Sequence, residues 1–144
     1  MLTAAQIVTA ILAMFPAMSG NNRECIIARR TRIENHITAA QRQFPEMPSE
    51  VFASIGFIES HFGCNPRSGG SWGVPISPSR RNIAGTPLQA ASVLWHSYQA
   101  CHTWDGAARR FRTGLCRPTT VGTRYSRIAT NLTNRIRMQV NSAR

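Results

Sequence analysis

Ser49-Glu50-Val51-Phe52-Ala53-Ser54-Ile55-Gly56-Phe57-Ile58-Glu59-Ser60-His61-Phe62 is the stretch on which the fold class turns. Its apolar residues do not alternate. Val51, Phe52, Ile55, Ile58 and Phe62 recur at intervals of three and four, the spacing of one helix face. Pro45 and Pro48 stop whatever precedes them, and Ser49 is expected to cap the new helix.

The same spacing extends outward from this stretch. Upstream, Ile26, Ile33, Ile37, Ala40 and Phe44 fall on one stripe, which predicts a single helix from about Asn22 to Phe44. Before it, Thr3 and Gln6 form a capping box for a helix bearing Ile7, Ile11 and Met14, ended by Pro16 and Gly20. Met1 to Met18 has the apolarity of a signal peptide but no basic start, and it is too short and too broken to span a bilayer. It is expected to be a helix of the domain, with a membrane or partner contact as the alternative.

Downstream, the periodicity dissolves. Four Gly and three Pro fall between Gly63 and Pro78, giving a Gly/Ser/Pro-rich loop over residues 63–85. Order returns at Thr86-Pro87-Leu88-Gln89, where a cap, a first-turn proline and a capping-box glutamine coincide. That helix carries Leu88, Ala91, Trp95 and Tyr98. A shorter one follows Thr103 through Phe111, and a last one, from about Gly122, is expected to bury Tyr125, Ile128, Leu132 and Ile136. The expected fold is all-α, with about six helices in one domain spanning 1–144: N-terminal helices over 1–44 and a motif-bearing region over 45–130.

Composition narrows the partners. All 17 basic residues are Arg, against 6 acidic ones, for a net charge of +11. A surface rich in guanidinium forks favours anionic polymers without specificity: cell-wall glycan, lipid headgroups or nucleic acid. The arginines are spread along the chain rather than gathered on one helix, so a specific nucleic-acid reader is not expected. Cys25, Cys64, Cys101 and Cys116 permit two disulfides in any of three pairings, or four buried thiols. No Cys-x-x-Cys element is present, so no metal site is expected.

Glu59 is the residue with chemistry in it. It is the only carboxylate between Glu50 and Asp105, and on a helix it shares a face with Phe52, Ile55 and Phe62. Burial would disfavour a charged carboxylate, so Glu59 either holds its proton and serves as a general acid or, as an acid at the end of its helix, turns to solvent.

Here the sequence resembles a family. Ile58-Glu59-Ser60-x-Phe62 followed by Gly70-Ser71-Trp72-Gly73, then Phe111-Arg112-Thr113-Gly114 and Gly122-Thr123-Arg124-Tyr125, is similar in order and spacing to the lytic transglycosylase domain over about residues 45–130. The resemblance implies a lysozyme-like helical fold and cleavage of the β-1,4 bond between N-acetylmuramic acid and N-acetylglucosamine in peptidoglycan. It makes Glu59 catalytic and implies no cofactor. It places Ser60, Trp72, Gly73, Phe111, Gly114 and Tyr125 along the substrate, with Trp72 stacking on a sugar ring and Tyr125 lining the cleft near the acid. Cys101 and Cys116 flank the Phe111 helix, where a bridge would brace the cleft. Two motifs depart from the pattern: Gly73-Val74-Pro75-Ile76 replaces Gly-Leu-Met-Gln, and Phe111-Arg112 replaces Tyr-Asn.

Ordinary glycosidases use two carboxylates roughly 5 to 9.5 Å apart. Glu50 lies about 13.5 Å from Glu59 along a helix, and the sequence does not place Asp105. Family members work with one acid, which protonates the leaving oxygen and then takes the proton of the sugar's own C6 hydroxyl, giving a 1,6-anhydro product. Three other readings compete: a hydrolytic muramidase using Asp105, a basic virion or cell-surface protein whose catalysis has decayed, and a nucleic-acid-binding protein. A compact domain without an evident cleaved signal suits a phage virion or the bacterial periplasm and envelope. There the N-terminal helix would offer a contact for other virion or envelope proteins.

Overall fold

The computed structural model describes residues 1–16, 18, 20–65, 72 and 86–144. Among these the chain is all-helical: α1 (Ala4–Met14), α2 (Gly20–Ala28), α3 (Arg30–Gln43), α4 (Ser49–Ser60), α5 (Pro87–Cys101), α6 (Trp104–Thr113) and α7 (Thr120–Ser142).

The expected start signals act as caps. Thr3 accepts from Gln6 N and Thr86 from Gln89 N, each closing a reciprocal capping box. Thr103 accepts from Gly106 N at the start of α6, and Thr119, not anticipated from sequence, accepts from Gly122 N and starts α7 two residues ahead of the expected Gly122. Each satisfies a first-turn amide that the helix itself leaves unpaired.

α4 runs through the centre. α7, α3, α1 and α5 all pack on it, and only Ile58 and Glu59 in it are not buried. Its apolar residues therefore do not form a stripe with a wet back, as their spacing alone would suggest; the helix is enclosed on nearly all sides. Its polar groups are matched inside. Ser54 Oγ donates to Glu50 O (2.7 Å) and accepts from Thr133 Oγ1 of α7 (2.9 Å), while Arg137 Nε donates to Glu50 Oε1 (2.9 Å). Ser49 is not the cap: Pro48 holds that position, and the buried Ser49 Oγ has no hydrogen-bond partner among the described residues.

The helix expected over Asn22 to Phe44 is two. Arg29 leaves helical geometry at φ −100°, ψ 12°, between α2 and α3. The two pieces answer to different anchors. Cys25 of α2 is bonded to Cys64 beyond the end of α4, whereas Arg30 at the start of α3 donates to Ala5 O and Thr9 Oγ1 of α1. Ile26, Ile33 and Ile37 stay buried across the joint, so their spacing carried no sign of it.

Ala91, Tyr125, Leu132 and Ile136 are buried as expected, but two positions on the same helices are not. Leu88 and Ile128 are exposed at 41% and 49%, and Ala90, Leu94, Ala129 and Thr133 take the inward places. α1 belongs to the core. Ile7, Val8 and Ile11 are fully buried in a helix that packs on α3, α4 and α7. Among the described residues, no helix is long and apolar enough to cross a membrane.

Candidate active site

Glu59 stands one residue before the end of α4, where the chain makes an unusual turn. His61, Phe62 and Gly63 follow one another at φ 47°, 58° and 81°. Left-handed backbone at the two non-glycine residues costs roughly 1–2 kcal/mol each, so the turn persists only because its surroundings hold it. Gly63 N donates to Ser60 Oγ (2.9 Å), Asn65 N to Ser60 O (2.9 Å) and Phe62 N to Gly56 O (3.1 Å). The Asn22 amide donates to His61 Nδ1 (2.9 Å), and the His61 ring stacks on Phe57 with centroids 4.5 Å apart. Burial holds the His61 imidazole below its ordinary pKa, in its neutral, accepting form. The Cys25–Cys64 disulfide ties down the far side.

Tyr125 meets the acid from the other side of the chain. Its hydroxyl donates to Glu59 Oε1 at 2.6 Å across 66 residues. The phenol is pushed well above its usual pKa, first by burial, then by the Glu59 charge and the shared hydrogen bond, with Arg112 pulling the other way. It is therefore a fixed donor that orients the carboxylate. Gly122, one turn earlier, lets α7 come this close to α6. A Cβ there would lie 2.9 Å from Thr119 Oγ1 and 3.4 Å from atoms of Arg109 and Thr113.

The other residues expected along the substrate have different places. Ser60 is 2% exposed and closes the turn behind Glu59, so it positions the acid rather than touching a sugar. Trp72 is 3% exposed. Its ring packs on Phe52 and Phe62 at 5.4 and 5.1 Å and meets His36 edge-on, which leaves no face for a pyranose. Phe111 is a core residue at 1% exposure, and Gly114 at φ 82° is the left-handed cap of α6. Gly73, and the Gly70, Ser71 and Val74-Pro75-Ile76 positions beside it, lie outside the described residues. Cys101 is bonded to Cys116, bracing α6, and Arg109 Nε donates to Cys116 O (2.8 Å).

None of the chain's other five carboxylates is placed as a partner for Glu59. Glu34 and Glu50 pair with Arg30 and Arg137, and Glu24 and Glu46 lie exposed. Asp105, exposed in the first turn of α6, accepts from Thr130 Oγ1 (2.5 Å). Thr130 is five residues past Tyr125, about 140° around α7, so Asp105 faces a different flank from Glu59.

Sequence reasoning missed what lies next to Tyr125. A cavity of about 380 Å³ is lined by Arg112, Thr120, Val121, Arg124, Tyr125 and Ile128. The one sequence signal was the arginine at 112, where the family pattern has Asn. No protein-family model, curated protein or solved structure matches this chain.

Proposed function

We propose that this chain is a peptidoglycan lytic transglycosylase that cuts the glycan strand with Glu59 as its single acid. The observation that carries the reading is the hydrogen bond between Tyr125 and Glu59: the two residues that the resemblance pairs, far apart in sequence, meet at one carboxylate. The separate placement of Asp105 and Glu50 favours one-acid chemistry over a two-carboxylate hydrolysis.

The Glu59 carboxyl protonates the glycosidic oxygen as the bond from that oxygen to C1 of the muramyl residue breaks. The carboxylate so formed takes the proton from the C6 hydroxyl of the same residue, and O6 bonds to C1. Glu59 ends as it began, and no water is consumed. Tyr125 keeps the carboxylate aimed through both transfers.

Purified peptidoglycan digested with this protein and with Glu59→Gln, followed by mass spectrometry of the released muropeptides, tests the proposal. Products lighter than reducing muropeptides by one water, absent with Glu59→Gln, are expected. Reducing-end products that depend on Glu59 would make the enzyme a hydrolytic muramidase. Release of nothing by either protein would overturn the enzymatic reading.

A further inference from the structure

We propose that the cavity beside Tyr125 is an anion subsite, built by Arg112 and Arg124, for a carboxylate borne by the muramyl residue of the strand; this rests on the reading of the chain as a peptidoglycan-binding enzyme. Arg112 lies in the last turn of α6 and Arg124 in the second turn of α7, both exposed. They line one cavity together with Tyr125, the residue that holds the catalytic acid. The Arg112 charge reaches the Tyr125 phenol, where it opposes the effect of burial.

Among the described residues, neither cation forms an ion pair with a carboxylate. All six carboxylates belong to described residues. None lines the cavity, and the two ion pairs among the described residues involve Arg30 and Arg137. The first turn of α7, at Thr120 and Val121, also forms part of the wall, and its end of the helix dipole adds to the positive field. Paired guanidinium forks fit a planar carboxylate in a bidentate manner.

Val121 and Ile128, exposed at 56% and 49%, give the same cavity apolar walls. A ligand with a carboxylate on a short aliphatic arm suits both features. The muramyl residue carries such an arm, the 3-O-lactyl group. It ends in a free carboxylate on a peptide-stripped strand, or continues into a peptide stem with carboxylates of its own. Neutral N-acetylglucosamine carries none.

Calorimetric titration of the Glu59→Gln protein, which cannot turn the ligand over, tests this. The probes are chitotetraose, a peptide-free tetrasaccharide of alternating N-acetylglucosamine and N-acetylmuramic acid, and the same tetrasaccharide with its stems. At least one acidic probe is expected to bind about tenfold or more tightly than chitotetraose. Adding Arg112→Ala and Arg124→Ala should erase that preference and leave chitotetraose binding unchanged. Preference for the stem-bearing probe would identify the stem carboxylate, and preference for the peptide-free probe the lactyl one. Lysine at both positions should retain part of the preference, because charge remains while the fork is lost. No preference, or one that survives both alanines, would overturn the subsite. Because binding is read, failure here is separable from failure of the lytic chemistry, which the muropeptide digest of the protein with Glu59 intact reads on its own.

Discussion

Tyr125 and Glu59, on helices far apart in the chain, share a 2.6 Å hydrogen bond in which the phenol donates to Oε1. Removing the two ends of that bond should have unequal effects. Glu59→Gln abolishes proton transfer and should lower the rate of anhydromuropeptide release by about 10²–10⁴-fold. Tyr125→Phe keeps the ring in its buried place and removes only the donor. A charge-assisted hydrogen bond of about 1.5–3 kcal/mol corresponds to a loss of about ten- to a hundredfold, with unchanged helical content by circular dichroism. Equal activity in Tyr125→Phe and the unaltered protein would show that the phenol does not aim the acid.

The two disulfides should separate stability from activity. Loop-closure arguments give about 4 kcal/mol for a bridge spanning 39 residues, as Cys25–Cys64 does, and about 3 kcal/mol for one spanning 15, as Cys101–Cys116 does. Only the first is attached to the left-handed turn that presents Glu59. Replacing Cys25 and Cys64 with Ala should therefore lower both the urea midpoint and the specific activity of the folded fraction. Replacing Cys101 and Cys116 should lower the midpoint chiefly. Matching activity losses in the two variants would count against a positioning role for the Cys25–Cys64 bridge.

Stability should fall at alkaline pH because of Tyr125. Its pKa in the folded state lies well above the ordinary value of 10.0, owing first to burial and then to Glu59. The stabilisation is fully present below the unfolded value and is lost as pH rises through the folded one, because the unfolded chain releases this proton earlier. Urea unfolding followed from about pH 9 to 11 should show a steeper decline for the unaltered protein than for Tyr125→Phe, which has no proton to release. Parallel declines would assign the loss to other groups.

His61 reverses the sign. Burial lowers its pKa from 6.5, so its contribution is present above that value and lost as pH falls through the folded one. Asn tolerates the left-handed backbone that His61 adopts. His61→Asn should therefore fold and lose stability less steeply than the unaltered protein between about pH 7 and 5. An unchanged slope would exclude His61 as the acid-sensitive group.

Features that depend on neighbours in sequence were the legible ones. The caps at Thr3, Thr86 and Thr103 use donors three residues away, and Glu59 stood out as a carboxylate in an apolar helix. Features that depend on which neighbour a face meets were not. On α7, Tyr125, Leu132 and Ile136 are buried as their spacing suggests, yet Ile128 at the edge of that stripe is exposed and Ala129 is buried beside it, and the periodicity tolerates either. Three consecutive left-handed residues at 61–63 are unreadable when two of them are His and Phe, because the Cys25–Cys64 bridge and the Asn22 contact that hold them come from α2. Trp72, Phe111 and Ser60 sit in positions that the resemblance associates with substrate, yet all three are buried; Ser60 closes the turn behind Glu59 and Trp72 packs on Phe52 and Phe62.

Trp72 permits the sharpest test of that packing. A Cβ on Gly56 would lie 2.8 Å from Trp72 Cε3 and 3.0 Å from Cζ3. The indole cannot simply retreat, since Phe52 and Phe62 pack against it at 5.4 and 5.1 Å. In an open helix Gly→Ala would stabilise by about 1 kcal/mol; here overpacking should cost about 1–3 kcal/mol against that gain. Gly56→Ala should thus be neutral to destabilising by about 2 kcal/mol. Combining it with Trp72→Phe, which removes the second ring, should make the Ala substitution stabilising again. That change of sign in a double-mutant cycle of urea midpoints is the signature of direct contact. If Gly56→Ala stabilises the protein with Trp72 intact, the indole does not lie against α4, and its burial can no longer exclude it from a sugar-stacking role.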